Sequence, residues 1–277
     1  MIEEKQLEID DLQIYYKIKK AGKAELTVVF IHGFPFDSSI WDKQLEALPD
    51  NVCGISYDIR GFGKSRGGHH FFSIDLFASD LIRFLEKLSV QRIVLCGVSM
   101  GGYIALRAAQ RSSDHLAGLI LCDTNASADS NEAKLKRFES IEEITGGGKA
   151  QFTEGFLKGL FSKKTNQENR QLIDQIGHII SETHDDSICA AQLALASRTE
   201  TVSFLPAISV PCLIIRGAED QMMSLEQAEQ MDSQLNSHGI LEIADAGHLP
   251  NAENPEAFNE AINHFLQKIS KGSDDRS

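Results

Sequence analysis

The chain has 277 residues, 42% of them apolar, and a formal net charge of −13. That length and apolar content suit one large domain, or a domain with an insert. The acidic balance excludes a polyanionic partner such as nucleic acid or an anionic membrane surface. No apolar run reaches the roughly 18–20 residues needed to span a bilayer. The charged start, Met1-Ile2-Glu3-Glu4-Lys5, lacks an apolar signal region, so a cytoplasmic location is expected. Five cysteines without a C-x-x-C pair suggest neither a zinc site nor a disulfide framework, and Cys96, Cys122 and Cys212 sit in apolar runs as small buried hydrophobes.

In chain order, residues 5–19 read as a β-hairpin. Leu7, Ile9, Leu12, Ile14, Tyr16 and Ile18 alternate with polar residues around an Asp10-Asp11 turn. Leu26 to Ile31 is a continuous β-rich run, the pattern of a strand buried on both faces. It ends in His32-Gly33-Phe34-Pro35, where the Phe34 N–H is a candidate oxyanion donor and His32 is expected to anchor the loop. Ser38 or Ser39 is placed to cap a helix through Trp41, Leu45 and Leu48. Val52 to Tyr57 is the next strand. The loop Asp58-Ile59-Arg60-Gly61-Phe62-Gly63-Lys64-Ser65 follows, its shape expected to be fixed by pairing of Asp58 with Arg60. His69-His70 has no further ligands at metal-site spacing. Ser73 or Asp75 opens a helix that buries Leu76, Phe77, Leu81, Phe84, Leu85 and Leu88.

Arg92 to Cys96 is another buried strand. It runs into Gly97-Val98-Ser99-Met100-Gly101 and then into a small-residue helix, Gly102 to Ala109. Strand, G-x-S-x-G, helix is the pattern of a nucleophile elbow. The serine must occupy a turn tight enough to lift its hydroxyl above the sheet edge, and glycines on either side permit the close approach. The helix that follows aims its N-terminus, with free N–H groups, at the same place, so the Met100 N–H is a second candidate oxyanion donor. Leu116 to Cys122 is a further strand, ending in Asp123, a weaker candidate acid.

No β-rich run appears between residues 125 and 205. Helical patterns occupy 131–144, 149–161, 166–181 and 186–198, the third opening on a capping box at Thr165-Asn166-Gln167-Glu168. Phe152 and Phe156 fall on one helical face and are candidates for the ceiling of an apolar pocket. Strand pattern resumes at Pro211 to Arg216 and leads to Glu219 and Asp220, of which Asp220 is the preferred acid. Ser224-Leu225-Glu226-Gln227 is a second capping box. Ile240 to Ile243 is a last short strand, and the loop after it carries His248 and Leu249. Asn254-Pro255 starts the final helix, with Phe258, Ile262 and Phe265 on its buried face. Residues 271–277 read as a frayed tail.

Ser99, Asp220 and His248 each follow a strand, so in a parallel sheet all three lie at the edge where ligands bind. Together with His32-Gly33-Phe34-Pro35, the Asp58-to-Ser65 loop, Gly217-x-x-Asp220 and Gly247-His248, they make the sequence resemble the α/β-hydrolase superfamily along nearly its whole length. The resemblance implies an α/β fold with a mostly parallel eight-stranded sheet and a helical cap after the sixth strand. The core is then 1–124 and 206–270, and the cap 125–205. It also implies covalent acyl transfer, with Ser99 as nucleophile, His248 as base, Asp220 as its acid, and Phe34 and Met100 as oxyanion donors. No metal or organic cofactor is required. Serine at 99 disfavours subfamilies that use aspartate there, and the chain looks more like small esterases, enol-lactonases and cofactor-free haloperoxidase-like proteins. The substrate expected is a small, largely apolar ester or lactone, bound near Phe34, Phe152, Phe156 and Leu249. Carbon–carbon bond hydrolysis, perhydrolase chemistry and a small-molecule receptor role remain alternatives.

Overall fold

The computed structural model describes residues 1–22 and 24–271. The strands are β1 (Ile2–Ile9), β2 (Leu12–Lys19), β3 (Leu26–Ile31), β4 (Val52–Tyr57), β5 (Arg66–Gly67), β6 (Ile93–Val98), β7 (Leu116–Cys122), β8 (Cys212–Gly217) and β9 (Ser237–Ile243). Eight of them form one path, β1-β2-β4-β3-β6-β7-β8-β9, and the two-residue β5 adds to β2. The sheet therefore has a ninth, short strand beyond the eight expected. β1, β2 and β4 pair antiparallel, and the ladder from β4 through β9 is parallel.

The sequence pattern explains this order. Every residue of β3 and of β6 is buried, as continuous apolar strands must be when helices cover both faces. β1 alternates instead, exposing Glu4, Gln6 and Glu8 along the sheet edge. The helices of the layers are α1 (Asp42–Ala47), α2 (Ile74–Leu88) and α3 (Met100–Arg111). Between β7 and β8 come α4 (Asn131–Thr145), α5 (Lys149–Lys158), α6 (Lys163–Glu168), α7 (Arg170–Glu182) and α8 (Asp185–Ala196). The core closes with α9 (Leu225–Asp232), α10 (Pro250–Glu253) and α11 (Pro255–Lys271). Counting only the long strands, β7 is the sixth, so the helical segment follows it as expected. The expected tail lies outside the described residues from 272 onward.

Three local expectations are corrected. The helix after the first loop is capped by Asp37, whose side chain accepts the Ser39 N–H, and begins as a short 3-10 turn over Ser38–Trp41. Asp58 and Arg60 do not pair. Asp58 accepts the N–H groups of Ser38 and Lys64, while Arg60 binds Asp80 and Asp11. The third helical pattern is two helices broken at Asn169, and its start is Ser162, which accepts the Thr165 N–H. Thr165 lies inside α6 because Ser162, in an extended conformation, takes the N-cap position three residues earlier. Ser73, Ser224 and Asn254 act where the sequence places them.

Candidate active site

The parallel strands bring the ends of β3, β6, β7, β8 and β9 to one edge of the sheet. Ser99 follows β6, at the centre of that row. Its backbone lies at φ 53°, ψ −117°, a left-handed conformation that costs a non-glycine residue on the order of 1–3 kcal/mol. The surroundings hold it there. Its N–H donates to the Cys122 carbonyl at 2.9 Å, and its own carbonyl accepts the Gly102 N–H and the Thr124 hydroxyl. The flanking glycines are required by space. A Cβ on Gly97 would stand 2.3 Å from the Gly101 carbonyl, and one on Gly101 would stand 2.2 Å from the Ile31 oxygen.

His248 and Asp220 meet. Nδ1 of the buried imidazole lies 2.9 Å from Asp220 Oδ2. With an ionised carboxylate as acceptor, the proton sits on Nδ1 and Nε2 keeps its lone pair. Asp220 Oδ1 accepts the Met222 N–H at 2.7 Å. Burial pushes the Asp220 carboxyl up, but the charge and hydrogen bond of His248, with Asp123 and the Met222 N–H, pull it below its ordinary value. Among the described residues the half-buried Ser99 side chain has no hydrogen bond to His248. The β3 loop packs directly on Ser99, since a Cβ on Gly33 would lie 3.2 Å from the Ser99 Cβ. Among the described residues, no protein acceptor takes the N–H of Phe34 or of Met100.

The other candidates fall into supporting places. His32 anchors its loop: Nδ1 lies 2.8 Å from the Gly33 oxygen, and Nε2 accepts the Ile59 N–H. Burial holds its pKa low, so it stays neutral. Glu219 turns away from the imidazole and accepts the Lys163 N–H. Phe34 forms edge contacts with Phe152 and Phe156, at 6.5 and 6.1 Å between ring centres, and Phe36 meets Phe156 at 6.1 Å. The rings of Phe34, Phe152 and Phe156 thus form one aromatic wall. Leu249 is fully buried, its carbonyl accepting the N–H groups of Ala252 and Glu253.

Two further carboxylates lie at the site: Asp123, the weaker candidate acid, which leaves the His248 Nδ1 to Asp220, and Glu253, which the sequence does not signal. Asp123, at the end of β7, accepts the Gly217 N–H at 2.9 Å and has donor atoms within 4.8 Å of Asp220 and His248. In this cluster the His248 Nδ1 is engaged by Asp220. Glu253 reaches back from α10. Its two oxygens accept the N–H groups of Gly247 and Ser162, both at 2.8 Å. His248 itself donates its N–H to the Leu160 oxygen at 2.8 Å. The segment between α5 and α6 is therefore stitched to the loop that carries the imidazole. A carboxylate five residues beyond a histidine has no local pattern to announce it.

Residues 28–261 match the alpha/beta hydrolase family. The fold superposes on an esterase from Thermogutta terrifontis with a TM-score of 0.86 and 35% identity, covering 93% of this chain and 95% of that one. In sequence the chain is 24% identical over 245 residues to 3-oxoadipate enol-lactonase 2 of Acinetobacter baylyi, covering 88% of this chain and 89% of the enzyme. It is 26% identical over 280 residues to a non-heme chloroperoxidase of Kitasatospora aureofaciens, covering 94% and 98%. Among the described residues no helix is long and apolar enough to cross a membrane. A match that runs from β3 into α11 takes in the serine turn, both loops of the acid–imidazole pair and the helical segment between them, and the chain belongs to the alpha/beta hydrolase family.

Proposed function

We propose that the chain is a serine hydrolase of small, largely apolar carboxylic esters or lactones, acting through an acyl-enzyme on Ser99. The observation that supports it is the 2.9 Å contact between His248 Nδ1 and Asp220 Oδ2 at the sheet edge that also carries the strained Ser99. Esterase and enol-lactonase relatives support the same bond class.

The steps follow from the groups present. His248 Nε2 takes the proton from Ser99 Oγ as that oxygen attacks the carbonyl carbon. Bonds between nucleophile and base commonly tighten only with substrate in place. The N–H groups of Phe34 and Met100 receive the oxyanion, each worth about 10²–10³ in rate. The tetrahedral adduct collapses, the C–O bond breaks, and the imidazolium gives its proton to the leaving alkoxide. Water then loses a proton to His248 and attacks the acyl carbon, and the acid leaves as Ser99 regains its proton. Asp220 keeps the productive tautomer and stabilises the imidazolium in both halves. The wall of Phe34, Phe152 and Phe156 receives the apolar part of the substrate, with Leu249 behind the imidazole loop.

Incubation with p-nitrophenyl acetate tests the reading. Wild type is expected to release p-nitrophenol catalytically and Ser99→Ala to lose that turnover by at least about 10³-fold. Undiminished turnover in Ser99→Ala removes Ser99 from the mechanism.

A further inference from the structure

One buried carboxyl at the site has no part in these steps. Asp123 is 2% exposed and adopts φ 40° at the end of β7. Its Oδ1 accepts the Gly217 N–H, which fixes the carboxyl plane. Its Oδ2 is buried, and no hydrogen-bond donor faces it among the described residues. The titratable groups around it are Asp220 after β8, His248 after β9 and the buried Cys122 on its own strand. Asp220 already has two donors, the Met222 N–H and the His248 Nδ1–H.

Two carboxylates this close and this dry do not both ionise. The shared proton belongs on the one with fewer donors, which is Asp123. A proton on Oδ2 also turns an orphaned acceptor into a donor beside the Asp220 carboxylate, which lies within 4.8 Å. Burial first, and then the Asp220 charge, act in the same direction on Asp123.

We propose that Asp123 is a neutral carboxylic acid whose Oδ2–H donates to Asp220, making it a positioning residue for the acid that orients His248. This rests on the reading of Ser99, His248 and Asp220 given above. Asp220 then accepts three hydrogen bonds, and the imidazole faces one negative charge. Asp123 touches neither the substrate nor the reacting atoms.

Two substitutions separate this from a merely structural carboxyl. In Asp123→Asn the amide N–H replaces the acid O–H, and the amide oxygen still accepts the Gly217 N–H. Its kcat is expected within about threefold of wild type, with the acid limb of the kcat/KM–pH profile unmoved. In Asp123→Ala the donor to Asp220 is gone, so Asp220 becomes more basic. There kcat falls about 10- to 100-fold, KM changes little, and the acid limb moves to higher pH. The proposal is overturned if Asp123→Asn shifts the acid limb downward, the signature of removing a charged neighbour, or if it is as impaired as Asp123→Ala. It is also overturned if Asp220→Ala stays active while Asp123→Ala does not, since Asp123 would then be the imidazole's own acid.

A wild-type measurement covers the case in which Asp123→Asn fails to fold. With aspartate-selective ¹³C labelling, the Cγ signal assigned by proximity to the Gly217 amide is expected at the neutral-acid position at pH 7. A carboxylate position there overturns the proposal. Ser99→Ala is assayed alongside. Turnover surviving in it sinks the underlying mechanism, whereas an aberrant Asp123→Asn with a dead Ser99→Ala removes only the role given to Asp123.

Discussion

A Cβ on Gly217 would stand 1.8 Å from the carbonyl oxygen of Gly247. Gly217 ends β8 just before Asp220 and Gly247 precedes His248, so the acid–imidazole contact depends on two backbones lying closer than any side chain allows. The Ala246 oxygen, 2.7 Å from the same point, blocks the alternative. Gly217→Ala must push the loops apart. We expect a loss of about 1–3 kcal/mol or more in a urea melt, together with a fall in kcat as His248 leaves Asp220. Gly155 in α5 is the opposite case, with nothing within 4 Å of its added Cβ. Gly155→Ala should stabilise by about 0.5–1 kcal/mol and leave kcat alone.

Glu253 holds two N–H groups that no other group accepts among the described residues, one on the imidazole loop and one at the cap of α6. Glutamine at that position keeps one accepting oxygen and turns an N–H donor toward the other N–H. Glu253→Gln is therefore expected to cost about 1–3 kcal/mol of stability. It should also lower kcat more than it raises KM, because the His248 loop loosens while the aromatic wall stays. A KM effect with kcat intact would show that the staple serves the substrate pocket instead.

The half-buried Phe156 touches Phe34 and Phe36 by ring contact and is the most accessible member of the wall. Phe156→Ala opens space without removing a deep core residue. In a series of p-nitrophenyl esters, kcat/KM for longer acyl chains should rise relative to acetate by about tenfold. An unchanged chain-length profile would place the acyl group elsewhere.

One acid-sensitive contact joins the β1–β2 turn, at Asp11, to Arg60 in the loop after β4. The hydrogen bonds from Arg60 hold the Asp11 carboxyl down at about 2, against 3.8 for the ordinary group. A carboxyl depressed in the folded state stabilises above its unfolded pKa, and that stabilisation fades as pH falls through the folded value. The window here is from about pH 4 down to about pH 2. Asp11→Asn should lower stability near pH 7, where that stabilisation is fully present, and flatten its loss across the window, so that variant and wild type converge towards pH 2 in pH-dependent melts.

The parallel core was legible because its strands are unbroken apolar runs and its turns need glycine. Ser99 was legible for the same reason: only one short pattern allows a serine between a buried strand and a small-residue helix. Asp220 and His248 could be placed at the same sheet edge because each follows a strand. Long-range partners were not legible. Arg60 meets Asp80 and Asp11 rather than its neighbour Asp58, because strand register and not sequence distance brings carboxyls to it. α6 begins at Lys163 with Ser162 as its cap, where Glu253 accepts the Ser162 N–H and His248 donates to the Leu160 carbonyl, so tertiary contacts overrode a local capping signal. The roles of Asp123 and Glu253 depend on which N–H groups face them, and no periodicity records that.

The covalent role proposed for Ser99 can be tested on the protein itself rather than through rates. Quenching the reaction with p-nitrophenyl acetate in acid and analysing the peptides by mass spectrometry should show an acetyl group on the peptide that carries Ser99. The adduct should be absent from Ser99→Ala. Steady release of p-nitrophenol with no acetylated Ser99, or with the acetyl group on another side chain, would contradict the mechanism.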